Sequence, residues 1–360
     1  MANVVAFLTR TKGSADGASR IGAQDVLAYG YLILGVLIVL IPVLWTIVSS
    51  FKPVEAIETF DTRLLPYDQI EKEIAGIGPK AIYTWVDENG VERQVFKAGK
   101  TRKITDVATP EDPGTILQAP RKALKPTEEI RVATENYLDP LLQRGSNRQF
   151  KFGVLLYNTV FVTVMATLIT LLINSMAAFA LSKYQFRGRL TFTLLIVATL
   201  LIPSTIILVS LFFVVWSFGI FGSLWGVIIP AAATPTGVFL LRQYMLTIPD
   251  ELLEAARMDA ASEWRIYWRI VLPLSLPALS VLAILSVIWR WNDFLWPLIV
   301  LISDPSQHTI QIGLTTFSGE FDQDHNYILA MTVVSLIPVT LVFVWLQRFI
   351  TTGIATQGIK

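Results

Sequence analysis

Six stretches of this chain are apolar over the roughly 20 residues that an α-helix needs to cross the core of a bilayer. They cover 27–49, 154–181, 190–215, 222–243, 271–301 and 328–350. The first stretch is too long for the apolar core of a signal peptide, and no small-residue cleavage site follows it, so we expect a retained helix. The sequence therefore predicts an all-α polytopic membrane protein with six transmembrane helices.

Prolines recur inside these stretches and predict kinks. They stand at Pro203, Pro230, Pro235, Pro277 and Pro338. Membrane helices also tolerate proline without a functional reason, so each position alone is weak support for a hinge.

A long polar segment interrupts this apolar chain between the first and second stretches. Between Phe51 and Lys151 lie 16 Lys and Arg and 16 Asp and Glu, which is 32 of the 57 charged residues in the chain. Asn89-Gly90 stands between two β-rich runs and predicts a hairpin turn. We therefore expect 51–153 to form an inserted extracytoplasmic α+β domain between helices 1 and 2.

The remaining boundaries follow from these features. We expect the N-terminus and helix 1 in 1–50, helices 2 to 6 in 154–350, and a C-terminal tail in 351–360. A cytoplasmic loop is expected at 248–273, between the fourth and fifth helices.

Basic residues in short loops mark the cytoplasmic side of a membrane protein. The turn after the second stretch contains Lys183, Arg187 and Arg189, whereas the loop 303–327 contains four acidic residues and no basic one. The basic loops all fall on one side if both termini are cytoplasmic. This orientation places the insert and 303–327 outside.

The composition argues against several kinds of chemistry. The chain has no cysteine, and its two histidines, His308 and His325, have no metal-ligand spacing, so we expect no metal site. The net charge of +1 gives no attraction to nucleic acid.

The segment 248–273 predicts two short helices. Pro249 and Asp250 suit the start of the first helix, a break is expected near 259–261, and Ser262 is a good N-cap for the second helix. Such a pair, carried on two membrane helices, can transmit force from a partner that grips it. An amphipathic helix lying on the membrane surface explains the same pattern, and the residues alone leave both interpretations open.

This segment also carries a motif. Glu254-Ala255-Ala256 followed by Asp259, with Leu272-Pro273 further on, closely resembles the EAA loop of binding-protein-dependent ABC importer permeases. Further segments outside the insert resemble the maltose-type carbohydrate subfamily in the same order: Ser50 to Pro53, Phe186 to Arg189, Phe239 to Gln243, Trp291 to Trp296 and the tail from Gln347.

Two features depart from that family. Ala260 stands where the family has a glycine after the Asp, and the insert 51–153 is longer than the first outer loop of close relatives. Because alanine adopts a positive φ only at a cost that glycine avoids, we expect a tighter or more helical turn at Ala260.

The resemblance implies a permease subunit of an ATP-driven importer for a sugar or sugar-like solute (an oligosaccharide, disaccharide, polyol or glycosyl glycerol). The implied partners are a second homologous permease, a dimer of ATPase subunits, an extracytoplasmic solute-binding protein and the lipid bilayer, with no nucleic acid. This chain has no phosphate-binding loop, so the partner ATPase would bind ATP and Mg, and the permease itself would be non-catalytic and without a cofactor. The implied location is the bacterial inner (plasma) membrane.

The resemblance also implies a coupling helix that docks in a groove of the ATPase. It would consist of Leu253, Glu254, Ala255, Ala256, Arg257, Met258, Asp259, Ala260 and Ala261. Glu254 and Arg257 would supply polar contacts with the ATPase, and Leu253 and Met258 apolar contacts.

Trp291, Asn292 and Asp293 are candidates for the substrate path. Aromatic faces and amide or carboxylate acceptors suit stacking on sugars and hydrogen bonding to their hydroxyls. The alternative is an interfacial aromatic belt with a structural ion pair between Arg290 and Asp293, since an isolated charge within the bilayer is costly.

Two other function classes predict different features. A secondary transporter or channel would show internal repeats or chains of intramembrane carboxylates, yet Asp293 is the only acidic residue well inside a stretch. A membrane-embedded enzyme would need clustered carboxylates or a metal site near a membrane face. The EAA loop favours the importer over both.

Overall fold

The structure of the chain is a computed structural model that divides into two compact units, Met1–Thr134 and Glu135–Lys360. It describes residues 23–58, 62–74, 76–87, 90–99, 104–144, 150–317 and 324–357. Within these residues the first unit holds the β-strands, and the second unit is helical.

The first unit begins with helix α1, Ala23–Ser49, which corresponds to the first predicted membrane helix. Its residues from Asp25 to Ser49 are long and apolar enough to cross a bilayer. Most of its described side chains are exposed within the chain, as expected for a helix that is covered by lipid or by another subunit. A short helix, α2, follows at Val54–Glu58.

The rest of the first unit is a set of eight strands. They are β1 Tyr67–Gln69, β2 Glu71–Ile74, β3 Gly78–Val86, β4 Glu92–Lys97, β5 Ile104–Ala108, β6 Leu117–Pro120, β7 Lys125–Pro126 and β8 Glu128–Ile130. Strands β2 to β6 pair in chain order, β7 pairs with β3, and β1 pairs with β8. A 3-10 turn at Arg121–Ala123 precedes β7.

The predicted hairpin is confirmed. Strands β3 and β4 pair antiparallel with Val86 opposite Glu92, and Gly90 in the turn between them has a φ of +77°. Asn89 lies outside the described residues. The positive φ is a conformation that glycine adopts at little cost, which is why an Asn-Gly pair marks such turns.

Both faces of this sheet are packed. Trp85, Val95 and Val107 belong to one buried cluster. Ile82 and Phe96 belong to a second buried cluster. Alternate residues of β3 and β4 therefore supply two small cores, as the two-residue period of a strand requires.

The second unit consists of helices. They are α3 Glu135–Leu141, α4 Phe152–Lys183, α5 Arg189–Thr199, α6 Ser204–Ser217, α7 Leu224–Ile228, α8 Pro235–Met245, α9 Asp250–Met258, α10 Glu263–Ile266, α11 Leu272–Leu274, α12 Leu276–Trp291, α13 Leu295–Leu301, α14 Ile310–Leu314 and α15 His325–Gln357. A π-helical turn, Tyr267–Val271, joins α10 to α11, and 3-10 turns occur at Pro305–Gln307 and Thr315–Phe317.

Three of the predicted membrane helices are each divided into separate helices. The third bends by 106° between Thr199 and Ser204. The fourth is interrupted at 229–234, and the fifth ends at Trp291 before helix α13 begins at Leu295. By length and composition alone, three of the described helices are able to cross a membrane. If each of the two bent helix pairs is counted as one span, the described residues provide up to five spans.

Most of the predicted kinks coincide with these breaks. Pro203 has extended backbone just before α6, and Pro235 begins α8 after the interruption that contains Pro230. Pro277 follows the 75° bend at the start of α12. Pro338, by contrast, lies inside helix α15, which is not interrupted there, and the kink at this position stays a prediction.

Helix α4 is the central element of the second unit, and polar side chains join it to its neighbours. The Thr167 hydroxyl lies 2.9 Å from that of Ser286 on α12. The Asn174 side chain donates to Thr234 Oγ1 (2.7 Å) and accepts from the Thr234 N–H (3.1 Å), which fixes the start of α8. Such bonds between helices are a common means of association where apolar burial contributes little.

Helices α4 and α8 approach closely at Gly237. A Cβ atom at this position would lie 2.1 Å from Asn174 Nδ2 and 2.6 Å from Thr234 Oγ1. A small residue is therefore required for the hydrogen bonds between Asn174 and Thr234 to form.

Candidate functional site

The predicted EAA loop forms two short helices, α9 and α10, which we call the EAA helix pair (250–266). Pro249 has an extended backbone and precedes α9, whose first turn contains Asp250 and Glu251. Ser262 caps α10, and its hydroxyl accepts a hydrogen bond from the Arg265 N–H at 3.3 Å. The predicted break and the predicted N-cap are both confirmed, although Pro249 lies one position before the first helical residue.

The turn between the two helices is a Schellman motif built on alanine. The Ala261 N–H donates to the Ala256 carbonyl, and the Ala260 N–H donates to the Arg257 carbonyl, each at 3.0 Å. Ala260 has a φ of +53°. The expectation of a tighter or more helical turn is therefore wrong, because the two hydrogen bonds hold alanine in the left-handed conformation that glycine normally supplies.

A polar cluster braces the EAA helix pair across this turn. The Arg257 Nε lies 2.8 Å from a Glu263 carboxylate oxygen, and the Tyr184 hydroxyl donates to the same carboxylate. Burial and the hydrogen bond to Glu263 raise the pKa of Tyr184 to about 12, so its hydroxyl stays protonated at neutral pH. The hydrogen bond to Glu263 also raises the pKa of Arg257.

Lys183 ties the start of α9 to the end of α4. Its Nζ donates to the Ile248 carbonyl (2.5 Å) and to the Asp250 carboxylate (2.7 Å). The Lys183 side chain is only 2% exposed, whereas that of Asp250 is 73% exposed. The ammonium group therefore serves as an internal clamp, a role that the orientation argument from basic residues did not anticipate.

Two other basic residues cap the carboxyl end of α4. Arg189 donates to the carbonyls of Leu181 (2.9 Å) and Ser182 (3.1 Å), and Arg242 donates to the Leu181 carbonyl (3.1 Å). Cations are favourable beside the unsatisfied carbonyls at the end of a helix.

The predicted coupling residues divide into an exposed and a buried group. Met258 is 88% exposed. Glu254, Ala255, Arg257, Asp259 and Ala260 are also exposed. Ala256 and Ala261 are half-buried and pack against the chain's own core.

Leu253 differs from its predicted role. It is 2% exposed and packs in a buried cluster with Met245, Ile266 and Tyr267. The structure thus turns Leu253 inward, where its packing against this cluster holds α9 on the rest of the second unit. Leu252 is the neighbouring apolar residue that is exposed instead.

Trp291, predicted to line the substrate path, lies in the core. It is 4% exposed, and its indole Nε1 donates to the Ser335 carbonyl on α15 at 3.0 Å. Its own carbonyl accepts from the Gln311 side chain at 3.3 Å. In this structure Trp291 therefore joins α12 to α15 and presents no free face for a sugar.

The other two candidates for the substrate path are accessible. Asn292 is exposed, and its amide donates to the Ile288 carbonyl at 2.8 Å, so its Oδ1 faces away from that bond. Asp293 is half-buried, and its carboxylate accepts a hydrogen bond from the backbone N–H of Trp296. These two groups lie at the break between α12 and α13.

Arg290 has a partner that the sequence did not predict. It donates to the Ala231 carbonyl at 2.5 Å, and the Thr170 hydroxyl donates to the same oxygen at 3.3 Å. Ala231 lies in the interruption between α7 and α8, so its carbonyl has no helical N–H as donor, and Arg290 and Thr170 supply donors instead. The alternative of an ion pair between Arg290 and Asp293 is not seen among the described ion pairs.

No cluster of three or more His, Asp and Glu side chains capable of holding a metal ion occurs among the described residues. The polar groups described above are engaged in joining helices or exposed at helix breaks. The arrangement suits mechanical coupling between an exposed helix pair and a bundle of membrane helices.

Comparison with known proteins identifies a family. Residues 171–356 match the family described as "Binding-protein-dependent transport system inner membrane component". The arabinooligosaccharides transport system permease protein AraQ of Halalkalibacterium halodurans is 37% identical over 203 residues, covering 56% of this chain and 72% of that protein. AraQ of Bacillus subtilis (strain 168) is 33% identical over 245 residues, covering 66% and 87%.

Two further proteins are similar. The sn-glycerol-3-phosphate transport system permease protein UgpE of Yersinia enterocolitica is 33% identical over 210 residues, covering 58% of this chain and 74% of that protein. A chain in the crystal structure of a bacterial ABC transporter involved in the import of the acidic polysaccharide alginate superposes with a TM-score of 0.62 at 21% identity, covering 92% of this chain and 99% of that chain. This likeness shows a shared fold.

Proposed function

The chain belongs to the family of binding-protein-dependent transport system inner membrane components, and we propose that it forms half of the pathway of an ATP-driven importer for a sugar or sugar-like solute. The carbohydrate class follows relatives that are named for arabinooligosaccharides and sn-glycerol-3-phosphate. Family membership disfavours the alternative of a secondary transporter or channel without ATP coupling.

The observation that carries this proposal is the way in which the EAA helix pair is held. Its outer face, around Glu254 and Met258, is exposed, while Lys183 clamps its first helix to α4 and Arg257 braces its second. A force applied to the exposed face would therefore pass to α4 and α12. A helix that merely lay on the membrane surface would not need these clamps.

We accordingly revise the coupling contacts. Glu254, Ala255, Met258, Asp259 and Ala260 would touch the ATPase groove, since all five are exposed. The buried and bracing members of the predicted set would keep the pair rigid instead of contacting the partner.

The proposed assembly contains a second homologous permease, a dimer of ATPase subunits that binds ATP and Mg, and an extracytoplasmic solute-binding protein. In this assembly the chain crosses the inner membrane six times, as α1, α4, α5–α6, α7–α8, α11–α13 and α15, with both termini in the cytoplasm. The insert 51–153 and the loop 303–327 would then face the binding protein. Glu320 and Asp322 of that loop lie outside the described residues.

Asn292 and Asp293 are the substrate-path residues that we retain. An amide oxygen and a carboxylate at a helix break are suitable acceptors for sugar hydroxyls. We assign Trp291 no contact with the substrate, because it is buried.

Purification of the chain in mild detergent, followed by mass spectrometry of the proteins that accompany it, tests the assembly. We expect an ATPase with a phosphate-binding loop and a second permease. Glu254→Arg should release the ATPase while retaining the second permease, whereas Glu129→Arg, a charge reversal at an exposed position of the sheet, should release neither. Recovery of the chain only with copies of itself would contradict the proposal.

The orientation has its own test, because a chain without cysteine allows single reporter thiols. Ser306→Cys should react with a membrane-impermeant maleimide in intact spheroplasts, and Arg187→Cys only after permeabilisation. The opposite pattern would reverse the proposed topology.

A further inference from the structure

An apolar groove opens on the second unit between helix α4 and the segment that follows the EAA helix pair. It encloses about 300 Å³, and its walls include Leu172, Ser175, Tyr267, Trp268, Leu276 and Leu279. The hydroxyls of Ser175 and Tyr267 lie 2.7 Å apart and bond to each other, so neither seeks a polar ligand. The groove therefore presents an apolar surface to any molecule that occupies it.

The groove reaches Ser175 at a level that falls within one leaflet of a bilayer. Ser175 lies eight residues before Lys183, the last residue of α4. At about 1.5 Å per residue this separation is roughly 12 Å along the helix axis, compared with roughly 15 Å for half of the hydrocarbon core. The part of the groove beside Ser175 thus lies within the leaflet on the side of the EAA helix pair.

Aromatic side chains surround the surface end of the groove. The rings of Trp264, Tyr267 and Trp268 have centroid separations of 5.1 to 6.3 Å. Trp264 is 57% exposed and Trp268 is 48% exposed. Exposed tryptophans of this kind are typical of the headgroup level of a membrane, where one edge of the ring is apolar and the other is wet.

Two arginines follow these tryptophans directly in the chain. Arg265 and Arg269 are both exposed and are four residues apart, so they lie on neighbouring positions of the helical segment. Among the ion pairs formed by the described residues, neither guanidinium takes part. These two charges without an ion partner flank Trp268 in the chain, and Trp268 lines the apolar groove.

We propose that the groove binds an acyl chain of an anionic phospholipid, whose phosphate is held by Arg265 and Arg269. Charge complementarity argues for a lipid rather than a helix of a second subunit, because an apolar helix would leave both guanidinium groups without a partner at the membrane surface. Arginine suits this role because its planar group donates two hydrogen bonds to phosphate. The assignment to the cytoplasmic leaflet rests on the orientation proposed above; the lipid site itself does not.

Such a lipid would act on the coupling element. Tyr267 and Trp268 belong to the π-helical turn that connects the EAA helix pair to α12. An acyl chain against this turn would support the position of the helix pair, so the lipid composition of the membrane would influence coupling.

Brominated phospholipids, which quench tryptophan fluorescence on contact, test the site in the complete importer reconstituted in nanodiscs. The contribution of Trp268 is obtained by subtracting the signal of Trp268→Phe. We expect brominated phosphatidylglycerol to quench this contribution more strongly than brominated phosphatidylcholine at equal mole fraction. The preference should fall roughly tenfold or more in the double variant Arg265→Gln/Arg269→Gln, because anionic lipids are attracted by each basic residue near the surface.

Two further variants control this result. Arg187→Gln removes an exposed positive charge from the turn before α5 that does not line the groove, and it should leave the preference unchanged. Ala283→Phe fills the groove and should reduce quenching by both lipids.

Three outcomes would overturn the proposal: equal quenching by the two lipids, a preference that survives the double arginine variant, or no quenching by either lipid. The last outcome would place a second subunit over the groove. Because ATPase recovery is measured separately in the same preparations, failure of the lipid site is distinguishable from failure of the importer assignment.

Discussion

The Arg257 guanidinium and the Glu263 carboxylate, 2.8 Å apart, join the two helices of the EAA helix pair across the turn at Ala260. The two side chains are 40% and 46% exposed, so the ion pair itself contributes only about 1 kcal/mol or less to the free energy of unfolding. Its importance lies in fixing the angle between two helices that an ATPase would push.

Reversal of one charge in this pair tests whether the pair fixes the turn between the two helices without contributing much to the stability of the protein. Arg257→Glu should change the melting temperature of the purified importer little but abolish most of the solute-stimulated ATPase activity, because two carboxylates then face each other across the turn. The swapped variant Arg257→Glu/Glu263→Arg should recover much of that activity. If the swap recovers nothing, Arg257 acts by contacting the ATPase and not by bracing the turn.

Ala260 holds a left-handed backbone conformation that is costly for alanine. Ala260→Gly should therefore raise the free energy of unfolding by about 1 kcal/mol. The matched control is Ala255→Gly, an exposed position inside α9, which should lower it by about 1 kcal/mol. Thermal unfolding of the two purified variants provides the comparison, and a loss of stability in Ala260→Gly would contradict the geometry of the turn.

Substitution of the buried Lys183 should lower the free energy of unfolding far more than substitution of its exposed partner, Asp250. Lys183→Met leaves the Ile248 carbonyl without its donor, and we expect a loss of about 2–3 kcal/mol together with weaker coupling of ATP hydrolysis to transport. Asp250→Asn keeps a hydrogen-bond acceptor at a 73% exposed position and should cost less than about 1 kcal/mol. Equal losses in both variants would show that the ion pair, and not the carbonyl contact, is what matters.

Trp291 and Asn292 are adjacent in the chain yet should respond differently to substitution. Trp291→Phe removes the hydrogen bond to the Ser335 carbonyl, so we expect a loss of about 1 kcal/mol in stability without a change in the apparent KM for the transported solute. Asn292→Ala should raise that KM while leaving stability nearly unchanged. A raised KM in Trp291→Phe would return this residue to the substrate path.

The sequence predicted most accurately the features that depend on residues close together in the chain. The hairpin at Gly90 and the N-cap at Ser262 depend on residues within one turn, and both are confirmed. The motif at Glu254 to Asp259 is equally local, and it correctly located the first helix of the EAA helix pair.

Features that depend on distant residues were not predicted. The direction in which Leu253 points follows from packing against Met245 and Tyr267, which the period of one short helix does not reveal. The Arg290 contact with Ala231 arises because the chain is interrupted at 229–234, 56 residues or more before Arg290, and leaves a carbonyl without a helical donor. Asp293 was suggested as the partner of Arg290 because the two residues are close in the chain. The partner in the structure is the distant Ala231 carbonyl.

The central claim is that the exposed face of the EAA helix pair docks on an ATPase subunit, and the absence of cysteine from the chain makes it directly testable. Met258→Cys places a single thiol at a position that is 88% exposed, and Arg187→Cys places one in the turn before α5 as a control. We predict that Met258→Cys reacts slowly with maleimide in inside-out vesicles that retain the ATPase and rapidly after the ATPase is stripped, with no change in the control. Equal reaction rates of Met258→Cys in the two preparations would contradict the account.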